Sequence, residues 1–118
     1  MPDTSKPAAI GTANPRTDEA LNTIVRRIVE IVQPVKIILF GSAAQGTAGL
    51  DSDFDLLVVM PEGTHRRRTA QLLYRQITGV GVPFDLVVAT TSDLATHGEN
   101  PGLIYKTALM EGRTLYAA

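Results

Sequence analysis

The chain has 118 residues, no cysteine, 44% hydrophobic residues and a formal net charge of -1. That suffices for one domain with a compact core, and it excludes bulk electrostatic attraction to nucleic acid or anionic lipid. The lack of cysteine excludes disulfides, thiolate metal sites and cysteine nucleophiles.

Residues 1–17 carry three prolines among small and polar residues and read as a disordered or loosely attached arm, leaving 18–118 as the domain. They lack the basic stretch and apolar run of a signal peptide. No segment reaches the ~18 apolar residues of a membrane span, so a cytoplasmic location is expected. Thr17 is the expected cap of a first helix, with Asp18 and Glu19 favouring its dipole. Leu21, Ile24, Val25, Ile28 and Val32 form its apolar face, and Pro34 ends it.

Val35 to Phe40 reads as a buried strand stopped by Gly41, and Ala43-Ala44-Gln45 fits one helical turn. A second strand is predicted from about Ser52 to Met60, ended by Pro61-Glu62-Gly63. Thr64 is the expected cap of the next helix, where Ala70, Leu73, Tyr74 and Ile77 make a stripe ending near Gly79. Val82 to Ala89 is the third strand, with Pro83 near its start. Ser92 or Asp93 suits the cap of a short turn. Pro101 suits the start of a last helix with Leu103, Ile104, Ala108 and Leu109 inward and Gly112 as its stop. Residues 113–116 fit a short closing strand. The expected fold class is α/β: a small mixed sheet of three main strands and a possible fourth, with helices packed on it.

Chemistry concentrates in residues 39–59, LFGSAAQGTAGLDSDFDLLVV. Side chains alternate along a strand, so Asp53 and Asp55 share one face while Phe54, Leu56 and Val58 take the other. Two carboxylates on one face repel unless a cation lies between them, and a hard divalent ion such as Mg²⁺ meets that need. Taken alone, Asp-Ser-Asp reads more readily as an ordinary turn. Val82-Pro83-Phe84-Asp85-Leu86-Val87-Val88 repeats the oddity, one carboxylate inside an apolar run. If the two strands are neighbours, Asp85 joins the same face, and three carboxylates can hold two metal ions; otherwise Asp85 is an exposed strand edge. Gly41 lets the backbone approach a ligand, and Ser42 with the N–H groups after it can cradle phosphate oxygens.

Ten residues, 43–52, separate Gly41-Ser42 from Asp53. With the apolar flanks Leu39-Phe40 and Leu56-Leu57-Val58-Val59, the segment resembles the signature of the polymerase β-like nucleotidyltransferase superfamily. The small size and the ending Met110-Glu111-Gly112-Arg113-Thr114-Leu115-Tyr116 make it most similar to the minimal nucleotidyltransferases (MNT domain), over roughly residues 18–116. That resemblance implies a nucleotidyltransferase fold, with Gly41 and Ser42 holding NTP phosphates. It implies Asp53, Asp55 and Asp85 as catalytic residues and ligands of two Mg²⁺ ions, with Asp85 also placed as general base. The implied reaction is attack of a hydroxyl on the α-phosphate of ATP, releasing pyrophosphate. Relatives often carry arginine in the turn where this chain has Ala43-Ala44-Gln45; Lys36, Arg66 or a partner's basic residue are the candidate replacements.

Minimal nucleotidyltransferases similar to this one are commonly paired, as antitoxin, with a helical HEPN-domain toxin, and the implied acceptor is a tyrosine of that toxin. A non-catalytic module that neutralises its partner by covering it, and a small-molecule nucleotidyltransferase, are the alternatives. Neither membrane association nor stable nucleic-acid binding is expected, while homo- or hetero-oligomers are open. His65-Arg66-Arg67-Arg68 opposes a helix dipole. The run reads either as a solvated surface or as a contact for phosphates, RNA or an acidic partner. His65 and His97 read as surface residues, and Tyr74 and Tyr105 as core or interface residues.

Overall fold

In a computed structural model of the chain, residues 15–41, 54–97 and 104–118 are described. Helix α1 (Pro15–Val32) leads into strand β1 (Lys36–Phe40) and, past residues 42–53, strand β2 (Phe54–Met60). Helix α2 (Arg66–Gln76), strand β3 (Phe84–Thr90), helix α3 (Thr91–His97), helix α4 (Ile104–Glu111) and strand β4 (Arg113–Ala117) follow. The expected turn at Ala43-Ala44-Gln45 and the start at Pro101 lie outside the described residues.

The sheet has the order β3-β2-β1-β4. Strand β1 pairs antiparallel with both β2 and β4, while β2 and β3 run parallel. A parallel pair needs a long crossover, and α2 supplies it. The sheet is therefore mixed, and the sequence at 113–117 does close it as a fourth strand.

Alternation divides the apolar residues into two layers. Ile37 and Leu39 of β1, Phe54, Leu56, Val58 and Met60 of β2, and Leu86 and Val88 of β3 face one side. Leu21, Ile24 and Ile28 of α1 and Leu73 of α2, with Ile77 just beyond it, cover them. On the other side Ile38, Phe40, Leu57, Val59 and Ala89 pack with Ala108 of α4 and Leu94 of α3. Fully burying a Leu or Ile side chain contributes roughly 1.5–3 kcal/mol, so the α1 stripe alone is a substantial part of the first layer.

Several element ends differ from the sequence expectation, each for a local reason. Helix α1 begins at Pro15, since proline suits the first helical position, and this puts Thr17 inside the helix where it cannot cap. At its other end Gln33 takes a left-handed φ of 53, and its N–H donates to the Val29 carbonyl at 3.0 Å. The cap of α2 is His65, not Thr64: its Nδ1 accepts the Arg68 N–H at 3.2 Å, while the Thr64 hydroxyl donates to the Pro61 carbonyl. Thr90 caps α3 in a reciprocal pair with Asp93. The Asp93 N–H donates to Thr90 Oγ1 at 3.2 Å, and the Thr90 N–H to Asp93 Oδ2 at 2.9 Å. On α4, Ala108 is buried as expected, but Leu109 is 40% exposed and belongs to the outer surface.

Gly112 marks the turn from α4 into β4. A Cβ there would collide with the Ala108 carbonyl and the Ile38 side chain and come 2.8 Å from the Leu39 carbonyl oxygen. Only glycine lets α4 end this close to β1.

Candidate active site

The register of the sheet decides which acidic residues meet. Asp55 of β2 stands directly opposite Asp85 of β3 in the parallel pair, and opposite Phe40 of β1 on its other side. Neighbouring strands lie about 4.8 Å apart, so the two carboxylates issue side by side. Both fall on the face shared by Leu57, Val59 and Ala89, at the end of the sheet where β1 finishes and β2 and β3 begin. Leu57, Val59 and Ala89 are buried, whereas Asp55 is half-buried and Asp85 exposed. Like charges directly opposite across strands repel. An arrangement that repels in isolation, at the accessible end of an otherwise apolar face, is suited to a cationic ligand.

Gly41 closes the site from the β1 side. Its φ of 79 is left-handed, and a Cβ at this position would stand 2.6 Å from Asp55 Oδ2. The carboxylate thus occupies the space that any side chain at 41 would take. Pro83 fixes the opening of β3 against β2, its carbonyl accepting the Phe54 N–H at 3.2 Å. Gly41, Asp55 and Asp85 are brought together; Ser42 and Asp53 lie outside the described residues.

The two basic residues suggested as replacements for the missing arginine are elsewhere. Lys36 is in register with Val59, four residues along β1 from Phe40 and so about 13 Å from the Asp55 level. Arg66 pairs with Asp93 at 3.3 Å, beyond the far end of β3. With His65, Arg67, Thr64 and Val88 it lines an open cleft at that far end. Strand geometry puts these cations at the wrong end of the sheet for the carboxylates.

Two roles escaped the sequence reading. His65 is a helix cap, unusual because imidazole seldom serves there, and only its position before a helical stripe hinted at it. Tyr74 is 43% exposed and its hydroxyl accepts the Leu86 N–H at 2.7 Å. The available signal was a tyrosine with an apolar body on the stripe and a polar tip needing a partner. Tyr105 falls within α4 and His97 ends α3.

A family model, the nucleotidyltransferase domain, matches residues 21–113. The chain belongs to the nucleotidyltransferase domain family. A solved structure of a candidate nucleotidyltransferase from Sulfolobus solfataricus is similar in fold, with a TM-score of 0.52 and 21% identity over 66% of this chain and 70% of that one. No curated protein matches the chain. The α/β fold and mixed sheet are those of a nucleotidyltransferase, and the family's general activity, transfer of a nucleotide, is that of a transferase. Among the described residues no helix is long and apolar enough to cross a membrane.

A nucleotidyltransferase generally works with an NTP and a divalent metal, and the residues present fit such an ion. Asp55 and Asp85 offer only oxygen donors, the set that Mg²⁺ prefers. Gly41 brings no side chain of its own against Asp55, whose carboxylate fills that space. No cluster of three or more His, Cys, Asp or Glu exists among the described residues; the described core of the site is the Asp55–Asp85 pair.

Proposed function

We propose that this nucleotidyltransferase domain binds ATP with Mg²⁺ and transfers AMP to a hydroxyl of a partner protein, a tyrosine of a helical HEPN-domain toxin, and so acts as its antitoxin. The observation that carries the catalytic half is the alignment of Asp55 with Asp85 beside the left-handed Gly41. The partner and the tyrosine rest on the resemblance to minimal nucleotidyltransferases, in the Gly41-Ser42 to Asp53 spacing and the 110–116 ending.

In this reading Asp55 and Asp85, with Asp53, hold the metal, and Gly41 and Ser42 hold the triphosphate through backbone N–H groups and the serine hydroxyl. When bound, Mg²⁺ supplies positive charge against the phosphate oxygens. The acceptor oxygen attacks the α-phosphorus, forming the new P–O bond. The bond from that phosphorus to the oxygen bridging the β-phosphate breaks, pyrophosphate leaves, and the acceptor proton passes to Asp85, whose exposed position lets a hydroxyl approach. The protein's contribution is positioning and charge complementarity rather than covalent chemistry.

The test is labelling of a HEPN-domain partner protein with radiolabelled ATP and Mg²⁺. Asp53→Ala or Asp55→Ala abolishes the label on this reading. Unchanged labelling in both variants would sink the site assignment. A complex that blocks the partner without any label would instead make the domain a binding module.

A further inference from the structure

We infer that Tyr74 is the positioning residue for Asp85: it grips the residues on either side of that aspartate and holds the carboxylate level with Asp55. The inference rests on the reading of Asp85 as a metal ligand.

Among the described residues β3 is an edge strand, and no described strand pairs with its outer backbone groups. Its first residues pair with β2 on one side only among the described residues. β3 begins at Phe84, one residue before Asp85, and follows a loop in which Gly79 and Gly81 both take left-handed φ angles. A ligand that must stand opposite Asp55 to within a fraction of an ångström is thus placed at the start of an open edge.

Tyr74 restrains that start from outside. Its ring stacks on Phe84 with centroids 5.8 Å apart and planes within 12°. Its hydroxyl accepts the Leu86 N–H at 2.7 Å. The two contacts bracket Asp85, and the Pro83 carbonyl is held from the β2 side by the Phe54 N–H. Residues 83, 84 and 86 are therefore all tied, so the backbone of Asp85 has little freedom although its side chain is exposed on the opposite face from the Phe84 ring. Tyr74 itself is 43% exposed, so burial of apolar area does not explain its orientation. A phenylalanine would keep the stack and lose only the hydrogen bond to the strand edge.

The experiment uses Mn²⁺ as the probe and the full chain, with binding followed by electron paramagnetic resonance at a temperature where every variant is folded. Tyr74→Phe weakens Mn²⁺ binding about three- to tenfold, the range expected for one hydrogen bond acting on ligand position. The Leu86 amide exchanges faster with solvent in the same variant. Phe84→Leu, which keeps the hydroxyl contact and loses the stack, weakens binding as well. Ile28→Val, a core truncation on α1 that alters neither α2 nor β3, lowers the melting temperature and leaves Mn²⁺ affinity alone. Wild-type affinity in Tyr74→Phe, with affinity lost in Asp85→Asn, overturns the positioning role and spares the metal site. Wild-type affinity in Asp85→Asn overturns both.

Discussion

Gly41 and Asp55 meet just past the end of β1, with Asp55 Oδ2 in the space that a Cβ at position 41 would fill. The contact is made by the far end of a side chain, so it can yield, but only by moving the carboxylate. Gly41→Ala is therefore expected to lower stability modestly, about 1–2 kcal/mol for an L side chain at a left-handed φ. ATP binding should suffer far more, because Asp55 is displaced. Urea denaturation and an ATP titration on the same variant separate the two effects. Equal and small changes in both would remove Gly41 from the site.

Asp85 is exposed and lies level with Asp55. Neutralising it as Asp85→Asn is expected to change stability in chelator by no more than about 0.5 kcal/mol, as for an ordinary surface substitution. The wild-type chain should gain about 2.7 kcal/mol when Mg²⁺ is present at a hundred times its dissociation constant. Asp85→Asn should lose most of that gain. Thermal melts with chelator and with titrated Mg²⁺ measure both quantities, and a full Mg²⁺ response in the variant contradicts the assignment.

At Gly112 the obstruction is different, because two of the atoms a Cβ would meet are backbone carbonyl oxygens of Ala108 and Leu39. Backbone cannot rotate aside. Gly112→Ala is expected to cost about 1–3 kcal/mol by overpacking. The urea midpoint should fall without a change in slope, and a wild-type midpoint would show that α4 can shift off β1.

Asp93 joins a helix cap and an ion pair of unequal worth. Removing it as Asp93→Ala breaks the reciprocal cap with Thr90 and is expected to cost about 1 kcal/mol. Arg66→Ala removes only the pair with Asp93, whose guanidinium side is 55% exposed, so the loss should stay below about 1 kcal/mol and fade in high salt. Denaturation at low and high ionic strength distinguishes them. An Arg66→Ala loss equal to that of Asp93→Ala would mean the ion pair, not the cap, holds α3.

Some of the candidate site's geometry was legible because its signals are local. The face shared by Leu57 and Asp55 follows from the pleat, and the left-handed turn after β1 follows from Gly41. The basic run at 65–68 was equally visible, but its location was not. Only the register of β3 showed that Arg66 sits past Thr90 and not beside Asp85. The caps at His65 and Thr90 were misplaced by one to three residues, since several polar residues in a row can each cap and only the hydrogen-bond geometry chooses among them.

By itself, then, the sequence determined the periods: a helical stripe in α1, apolar runs in β1 to β3, and an acidic residue near the start of each of β2 and β3. Those are set by side-chain chemistry within a few residues and survive without the rest of the chain. The tertiary structure decided that β3 lies parallel against β2, that Asp85 falls level with Asp55, and that Tyr74 reaches over the strand edge to Leu86. These depend on how α2 carries the chain from Met60 back to Phe84 and on which faces its stripe must bury. Long-range register is fixed by that packing, so two carboxylates thirty residues apart become a pair only in the folded sheet.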